Sequence, residues 1–372
     1  MSALCFAHLR WNFVYQRPQH VMTRLAETHD VFYFEEPEFS TLKPTLKQRR
    51  EGNVVILTPC VPAGTSSEDL IASQRYILDE FLESRSFSEP PLLWYYTPMA
   101  LPFTRHLQGL RVYDCMDELK AFKDAPAEIA LLERELMSRS DVVFTGGRSL
   151  YHAKRRLNPN VFCLPSAVDA DHFAPRGRSE PSGLNNLARP RMIFCGVIDE
   201  RLDVQFVEAL AGELSDWSLI FVGPTAKIDP AILPQAPNLH YTGLRRYDEL
   251  PAYLEHCDVA LLPFALNDAT RFISPTKTLE YLAARKSVIS TPIADVVDPY
   301  GRAGIVDIAA NVQQAATLAR QCIRQPRTQQ WHRAVDRILG GVGEHFAEDK
   351  IQLAEFLRRA AVWTANGEYA RA

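Results

Sequence analysis

Short apolar runs alternate with amphipathic stretches along most of this chain. Runs at Leu4–Leu9, Val31–Glu35, Val54–Thr58, Leu92–Thr97, Arg111–Cys115, Val142–Thr145 and Val161–Leu164 predict strands. Between them, Pro18–Glu27, Asp69–Glu83, Pro126–Arg139 and Ser149–Leu157 carry helical spacing. Such alternation predicts an α/β fold, a mostly parallel sheet covered by helices on both faces. Arg176–Arg191 is polar, has no period and reads as a linker. The alternation then restarts with strands at Met192–Val197, Leu219–Val222, Leu239–Thr242, Val259–Pro263 and Val288–Thr291, and helices at Asp203–Glu213 and Asp248–Glu255. Two Rossmann-like domains follow, over 1–175 and 191–345. Thr328–Ala365 is helical in pattern, broken near Gly340, Gly341 and Gly343. Two such domains are expected to face each other across a cleft, with ligands beyond the carboxyl ends of the strands.

Composition narrows the function class. The chain has 372 residues, 47% of them hydrophobic, enough for two full cores. A net charge of −4 argues against a nucleic-acid partner. No apolar run reaches membrane-span length, and the N-terminus reads as a first strand rather than a leader. Seven scattered cysteines, with no C-x-x-C pair, read as core residues in a reducing cytoplasm and not as a metal site.

The most informative stretch is Ser274–Val296. Ser274 suits an N-cap and Pro275 the first helical position, so the amides around Thr276 would face an anion. Lys277 adds a full positive charge in the first turn. Glu280 lies farther along the helix, where a carboxylate can accept from a ribose diol. The bland alternative is an i, i+3 surface pair of a few tenths of a kcal/mol. Two other strand ends bear candidates. Gly196 precedes Asp199 and Arg201, whose fork suits two phosphate oxygens; the alternative there is a surface ion pair. Gly223 and Pro224 let a ligand approach backbone closely. Gly243 and Leu244, with Tyr247, would frame a base, and Thr270 and Arg271 lie in the loop before the helix.

Pro275, Lys277, Glu280, Tyr281, Ala283, Lys286 and Val288 resemble the donor-site motif P-x-K-x-x-E-Y-x-A-x-G-K-P-V of the group 1 GT-B glycosyltransferases. Arg285 stands where Gly is usual, and Ser287 replaces Pro. Phe272 occupies the position of the first glutamate in the two-glutamate form, which contacts the donor sugar in those enzymes. Gly196–Asp203 (GVIDERLD) and Arg10–His20 carry the resemblance further. It implies a nucleoside diphosphate sugar as donor, no cofactor, no metal, and a last helix over 346–372 returning to the N-terminal domain. It also implies that the N-terminal domain holds the acceptor, a glycan or lipid-linked glycan of cell-surface polysaccharide synthesis.

In that domain Trp11, Phe13 and Tyr15 suit sugar faces, and Arg10 and Arg17 suit a phosphate; the alternative is a packed loop with surface arginines. Asp114 and Asp117 flank a strand end, and Asp117 is the candidate base toward an acceptor hydroxyl if the transfer inverts, against a plain N-cap role. Glu35 and Glu36 end the second strand and are candidates to face the cleft. His8 is placed in the first strand, buried. Basic clusters at Lys47–Arg50 and Lys154–Arg156 read as solvated faces, or as contacts to anionic lipid at the inner membrane face. The rival functions are an epimerase or phosphorylase on the same fold, and a non-catalytic sugar-nucleotide sensor. An oxidoreductase is disfavoured because no G-x-G-x-x-G follows either first strand.

Overall fold

The computed structural model describes residues 2–85 and 87–340. The chain folds as two compact units, Met1–Leu164 and Pro165–Ala372. The first unit holds strands β1 (Ser2–Phe6), β2 (Asp30–Phe34), β3 (Glu38–Phe39), β4 (Thr45–Glu51), β5 (Val54–Val61), β6 (Leu92–Tyr95), β7 (Arg111–Cys115), β8 (Val142–Thr145) and β9 (Val161–Cys163). Its helices are α1 (Arg17–Leu25), α2 (Ser67–Glu83), α3 (Leu101–Thr104), α4 (Ile129–Arg139) and α5 (Arg148–Lys154). The sheet runs β3-β5-β2-β1-β6-β7-β8-β9, all parallel, with β4 added antiparallel to β5. The central strands are buried on both faces, which is why they read as unbroken apolar runs. β4, TLKQRRE, is mostly exposed and charged; no apolar period announced it.

The second unit contains β10 (Arg191–Cys195), β11 (Ser218–Val222), β12 (Leu239–Gly243), β13 (Val259–Leu262), β14 (Ser287–Ser290) and β15 (Asp307–Ile308). They form a fully parallel sheet in the order β12-β11-β10-β13-β14-β15. Around it lie α6 (Ala170–Phe173), α7 (Val204–Glu213), α8 (Leu250–Glu255), α9 (Lys277–Ala283), α10 (Ala294–Val296) and α11 (Val312–Arg324).

Both sheets reverse strand order beside their first strand. The reversal falls between β1 and β6 in one unit and between β10 and β13 in the other. Such switch points open a crevice beyond the carboxyl strand ends.

The stretch Arg176–Arg191 is not a free linker. Leu184 is fully buried in the second core, and Glu255 accepts from the Arg176 and Arg178 amides at 2.8 and 2.7 Å. Arg191 is buried and donates to the Leu184 and Leu187 carbonyls. The sequence lacks a period there because its order comes from side-chain bonds to backbone rather than from a regular element. The helix expected over 346–372 lies outside the described residues.

Candidate functional site

Parallel register brings three separate glycines together. Gly196 follows β10, Gly223 follows β11 and Gly243 ends β12. The Gly196 amide donates to Val222 O at 2.8 Å, and the Gly223 amide donates to Gly243 O at 3.0 Å. A Cβ on Gly223, where φ is +148°, would lie 1.9 Å from the Gly196 carbonyl oxygen. A Cβ on Gly196 would lie 1.9 Å from Lys277 Cε. The Lys277 stem therefore runs directly over the Gly196 backbone, in the space that a Cβ there would take.

Helix α9 is pinned to this floor by Tyr281. Its hydroxyl accepts the Cys195 amide at 2.7 Å, and the ring is wholly buried. Lys277 and Tyr281 are four residues apart, hence on one helix face. In the sequence Tyr281 stands out only as a motif match; its i, i+4 spacing from Lys277 was the available signal. Ser274 is not the N-cap. The helical turn opens at Thr276 (φ −51°, ψ −32°), which makes no side-chain capping bond, and the Pro275 carbonyl already accepts the Thr278 amide at 3.0 Å. Pro275 thus precedes the N-cap rather than occupying the first helical position. The helix closes with Lys286 N bonded to Tyr281 O and Arg285 N to Leu282 O, both at 2.9 Å. This is a Schellman ending with Arg285, φ +59°, in the left-handed position where the family motif has Gly.

Among the described residues, neither the Lys277 ammonium nor the Glu280 carboxylate has a hydrogen-bond or ion-pair partner. Both side chains remain partly open to water. Burial nevertheless dominates their titration. It lowers Lys277 from its ordinary value, with Glu280 opposing and Arg201 adding, and it raises Glu280, with Lys277 opposing. Desolvation is thus the largest influence on both charges, although neither residue is wholly covered.

Arg201 lies near them, paired with Asp199: Nε stands 3.0 Å from both carboxylate oxygens and Nη2 2.5 Å from Oδ2. The loop carrying both is clamped to the one after β13, through Asp203 N to Pro263 O at 2.9 Å and Ala265 N to Arg201 O at 2.8 Å. The loops after β10 and β11 also join, the Ile198 amide donating to Pro224 O at 2.9 Å.

Several expected contacts are consumed internally. Thr270 is buried, and its hydroxyl bonds the Ala265 carbonyl and the Asn267 amide, fixing its own loop rather than offering a sugar contact. Tyr247 stacks on His172 at 4.4 Å and meets Phe173 edge-on, so that ring face is taken. Leu244 and Arg271 are exposed, the Arg271 guanidinium resting 5.2 Å from the Phe272 ring.

In the first unit the corrections are larger. Arg17 and Asp114 are buried against each other, Nε to Oδ1 at 2.9 Å, with Arg17 Nη1 also on the Leu164 carbonyl at 2.8 Å. Burial opposes the Arg17 charge, but Asp114 outweighs it and holds the guanidinium above its ordinary value. Trp11 is a core residue: it packs edge-on against Tyr33 at 4.9 Å, and its indole N–H donates to Glu51. Glu35 is buried, accepting the Trp11 amide at 2.8 Å and the Thr58 hydroxyl. Arg10 is tied to Glu38 and the Pro37 carbonyl. These side chains support the loop after β1 and are not free for an acceptor. Phe13 and Tyr15 remain exposed, and Asp117 is partly exposed beyond β7. His8 lies past the end of β1, partly exposed, rather than within the strand. Of the basic clusters, Lys47 pairs with Glu38, Arg49 with Glu51, and Lys154 is buried. Among the described residues, no cluster of three His, Cys, Asp or Glu is placed to hold a metal, and no helix is long and apolar enough to cross a membrane.

Comparison with known proteins agrees with this geometry. Residues 189–325, within the second unit, match the family model Glycosyl transferases group 1. A Bacillus subtilis (strain 168) protein named as a teichuronic acid biosynthesis glycosyltransferase, TuaH, is 25% identical over 244 residues, covering 58% of this chain and 59% of that relative. The chain thus spans about three-fifths of that curated relative's length. Sucrose-phosphate synthase of Thermosynechococcus elongatus superposes with a TM-score of 0.72 at 11% identity, covering 95% of this chain and 100% of that one. HepE of Anabaena in complex with UDP gives 0.65 at 13%, covering 96% and 100%. The E. coli trehalose-6-phosphate structure bound with UDP-2-fluoro glucose gives 0.66 at 12%, covering 95% and 98%. At these identities the likeness establishes the fold, which is GT-B.

Proposed function

We propose that this protein is a glycosyltransferase that moves a sugar from a nucleoside diphosphate sugar to a hydroxyl of a glycan or lipid-linked glycan, in cell-surface polysaccharide synthesis. One observation carries the reading: Lys277 and Glu280 stand unpaired, the Lys277 stem over the Gly196 backbone, at the switch point of a group 1 domain. A desolvated ion without a partner costs stability and is kept where a ligand completes it. Lys277 would meet the diphosphate, and Arg201, oriented by Asp199, would add a second cation. Glu280 would accept from the ribose diol. Gly196, Gly223 and Pro224 leave room for the phosphates, and the exposed Gly243–Leu244 turn and Arg271 remain for base and sugar.

In the reaction, the anomeric carbon–oxygen bond to the diphosphate breaks and its electron pair leaves with the nucleotide. The acceptor oxygen bonds to that carbon, and its proton passes to Asp117. Fixed cations at the diphosphate offset the departing charge without reorganisation; the donor is the only small molecule the scheme requires. The UDP and UDP-sugar ligands of two structural neighbours favour a UDP-sugar donor, and the name of the B. subtilis relative favours a context akin to teichuronic acid biosynthesis. Five of the seven free thiols are buried, which suits a cytoplasmic enzyme, with Arg155 and Arg156 as exposed cations toward an inner membrane face.

A second reading, a sugar-nucleotide sensor, is favoured by Phe272, which puts an aromatic ring where the family's sugar-binding glutamate stands. A thermal-shift panel of UDP-, GDP- and dTDP-sugars, followed by transfer assays with the labelled hit, separates the two. A shift lost in Lys277→Ala and Glu280→Ala, with transfer to a glycan, supports the enzyme. Tight binding with neither transfer nor hydrolysis supports the sensor, and no shift with any nucleotide sugar overturns both.

A further inference from the structure

Lys154 ends α5 and precedes two arginines, yet it is only 2% exposed. Its ammonium donates to Glu118 Oε1 at 2.8 Å and to Glu133 Oε2 at 2.7 Å. Glu133, on α4, also accepts the Tyr113 hydroxyl at 3.1 Å and faces the Cys115 thiol at 3.8 Å. One ammonium thus ties together α4, α5, β7 and the loop that follows β7. Burial opposes the Lys154 charge, but Cys115, Glu133 and Glu118 outweigh it and keep its pKa above the ordinary value.

A buried ion network of this kind adds little net stability over apolar packing of the same volume, whereas removing one member is costly. What it does supply is fixed geometry. Glu118 directly follows Asp117, and its backbone is non-helical (φ −84°, ψ 76°). Lys154 draws Glu118 inward, while the Cys115 thiol donates to the Asp117 carbonyl at 3.6 Å. Asp117 is therefore held from both sides, and its own side chain keeps access to solvent.

We infer that Lys154, acting through Glu118, is a positioning residue that aims the Asp117 carboxylate at the acceptor hydroxyl. This rests on Asp117 as the base of the proposed transfer. The network lies wholly within the first unit, whereas Lys277 and Glu280 belong to the second.

The test uses the full chain with the UDP-, GDP- or dTDP-sugar that gives the largest thermal shift and the glycan to which it is transferred. It compares Lys154→Met, Lys154→Arg, Glu118→Gln and Asp117→Asn by kcat, acceptor KM and nucleotide affinity. Misplacing a reacting group by about 1 Å costs about a hundredfold. Lys154→Met is therefore expected to lose about a hundredfold in kcat, and Glu118→Gln about tenfold, with acceptor KM and nucleotide affinity unchanged and partial recovery in Lys154→Arg. A role in folding alone would lower Tm and leave kcat per folded molecule at the wild-type value. Should Lys154→Met fail to fold, the near-isosteric Glu118→Gln decides. Wild-type kcat in folded Lys154→Met or Glu118→Gln, with Asp117→Asn inactive, overturns the positioning role alone. Wild-type kcat in Asp117→Asn overturns the base assignment and the positioning role with it.

Discussion

The two switch points share a topology and differ in what fills them. Beside β1 and β6, the first unit closes its crevice with its own side chains. Arg17 and Asp114 satisfy each other out of water, Tyr96 is buried next to them, and Trp11 packs into the core. Beside β10 and β13, the second unit lines its crevice with glycine and leaves Lys277 and Glu280 without protein partners. Strand order alone therefore marks where a ligand can sit. Whether one does sit there depends on side-chain volume and on charge left uncompensated.

The largest effect should come from breaking the closed crevice. Asp114→Ala leaves Arg17 charged and buried, and is expected to cost about 3–5 kcal/mol by denaturant unfolding, while nucleotide affinity per folded molecule stays put. Loss of nucleotide binding in the folded variant would mean that the pair serves the ligand after all.

The glycine floor separates stability from binding. Gly223→Ala forces a Cβ onto backbone at a left-handed φ and should destabilise by about 3 kcal/mol or more. The three atoms nearest a Cβ on Gly196 all belong to the movable Lys277 stem, so Gly196→Ala should leave unfolding free energy within about 1 kcal/mol of wild type yet weaken nucleotide binding about tenfold. Equal Tm losses in the two would refute the distinction.

Lys277→Met should weaken nucleotide binding about a hundredfold by calorimetry, the scale for losing a charge-assisted contact, and raise the Tm of the ligand-free protein. The sign follows from the titrations. Glu280 is raised above 4.5, so its contribution to stability is full below 4.5 and is lost as pH rises through its folded value. Lys277 is lowered below 10.5, so its contribution is full above 10.5 and is lost as pH falls through its folded value. Wherever either group is charged, it is charged at the fold's expense. Nucleotide affinity should accordingly fade at alkaline pH before 10.5 and at acid pH above 4.5, and Glu280→Gln should remove the acid limb. A flat profile between those limits would contradict a binding role for these two groups.

The smallest effect concerns Arg285. Replacing it with Gly relieves the left-handed backbone, worth about 1 kcal/mol. It gives up an exposed pair with Asp336 worth a few tenths of a kcal/mol. A modest rise in Tm with unchanged binding is expected; a fall would show that the ion pair dominates.

Much of this molecule was legible in order of residues. The buried parallel strands announced themselves as unbroken apolar runs, because a strand covered on both faces has no polar side to display. β4 did not, because four of its seven residues are charged and its pairing with β5 is a decision of the partner strand. Lys277, Glu280 and the glycines were visible one by one, since each is tied to a local need: a helix start or a strand end. The roles of Trp11, Arg17, Asp114, Thr270 and Lys154 were misjudged because a polar or aromatic side chain looks the same in sequence whether its partner is water, ligand or another residue. Sequence by itself determined the α/β alternation, the strand ends and the kinds of charge available there. Tertiary structure alone decided which charges found partners, because ion pairing depends on distances between segments that can lie 97 residues apart, as Arg17 and Asp114 do.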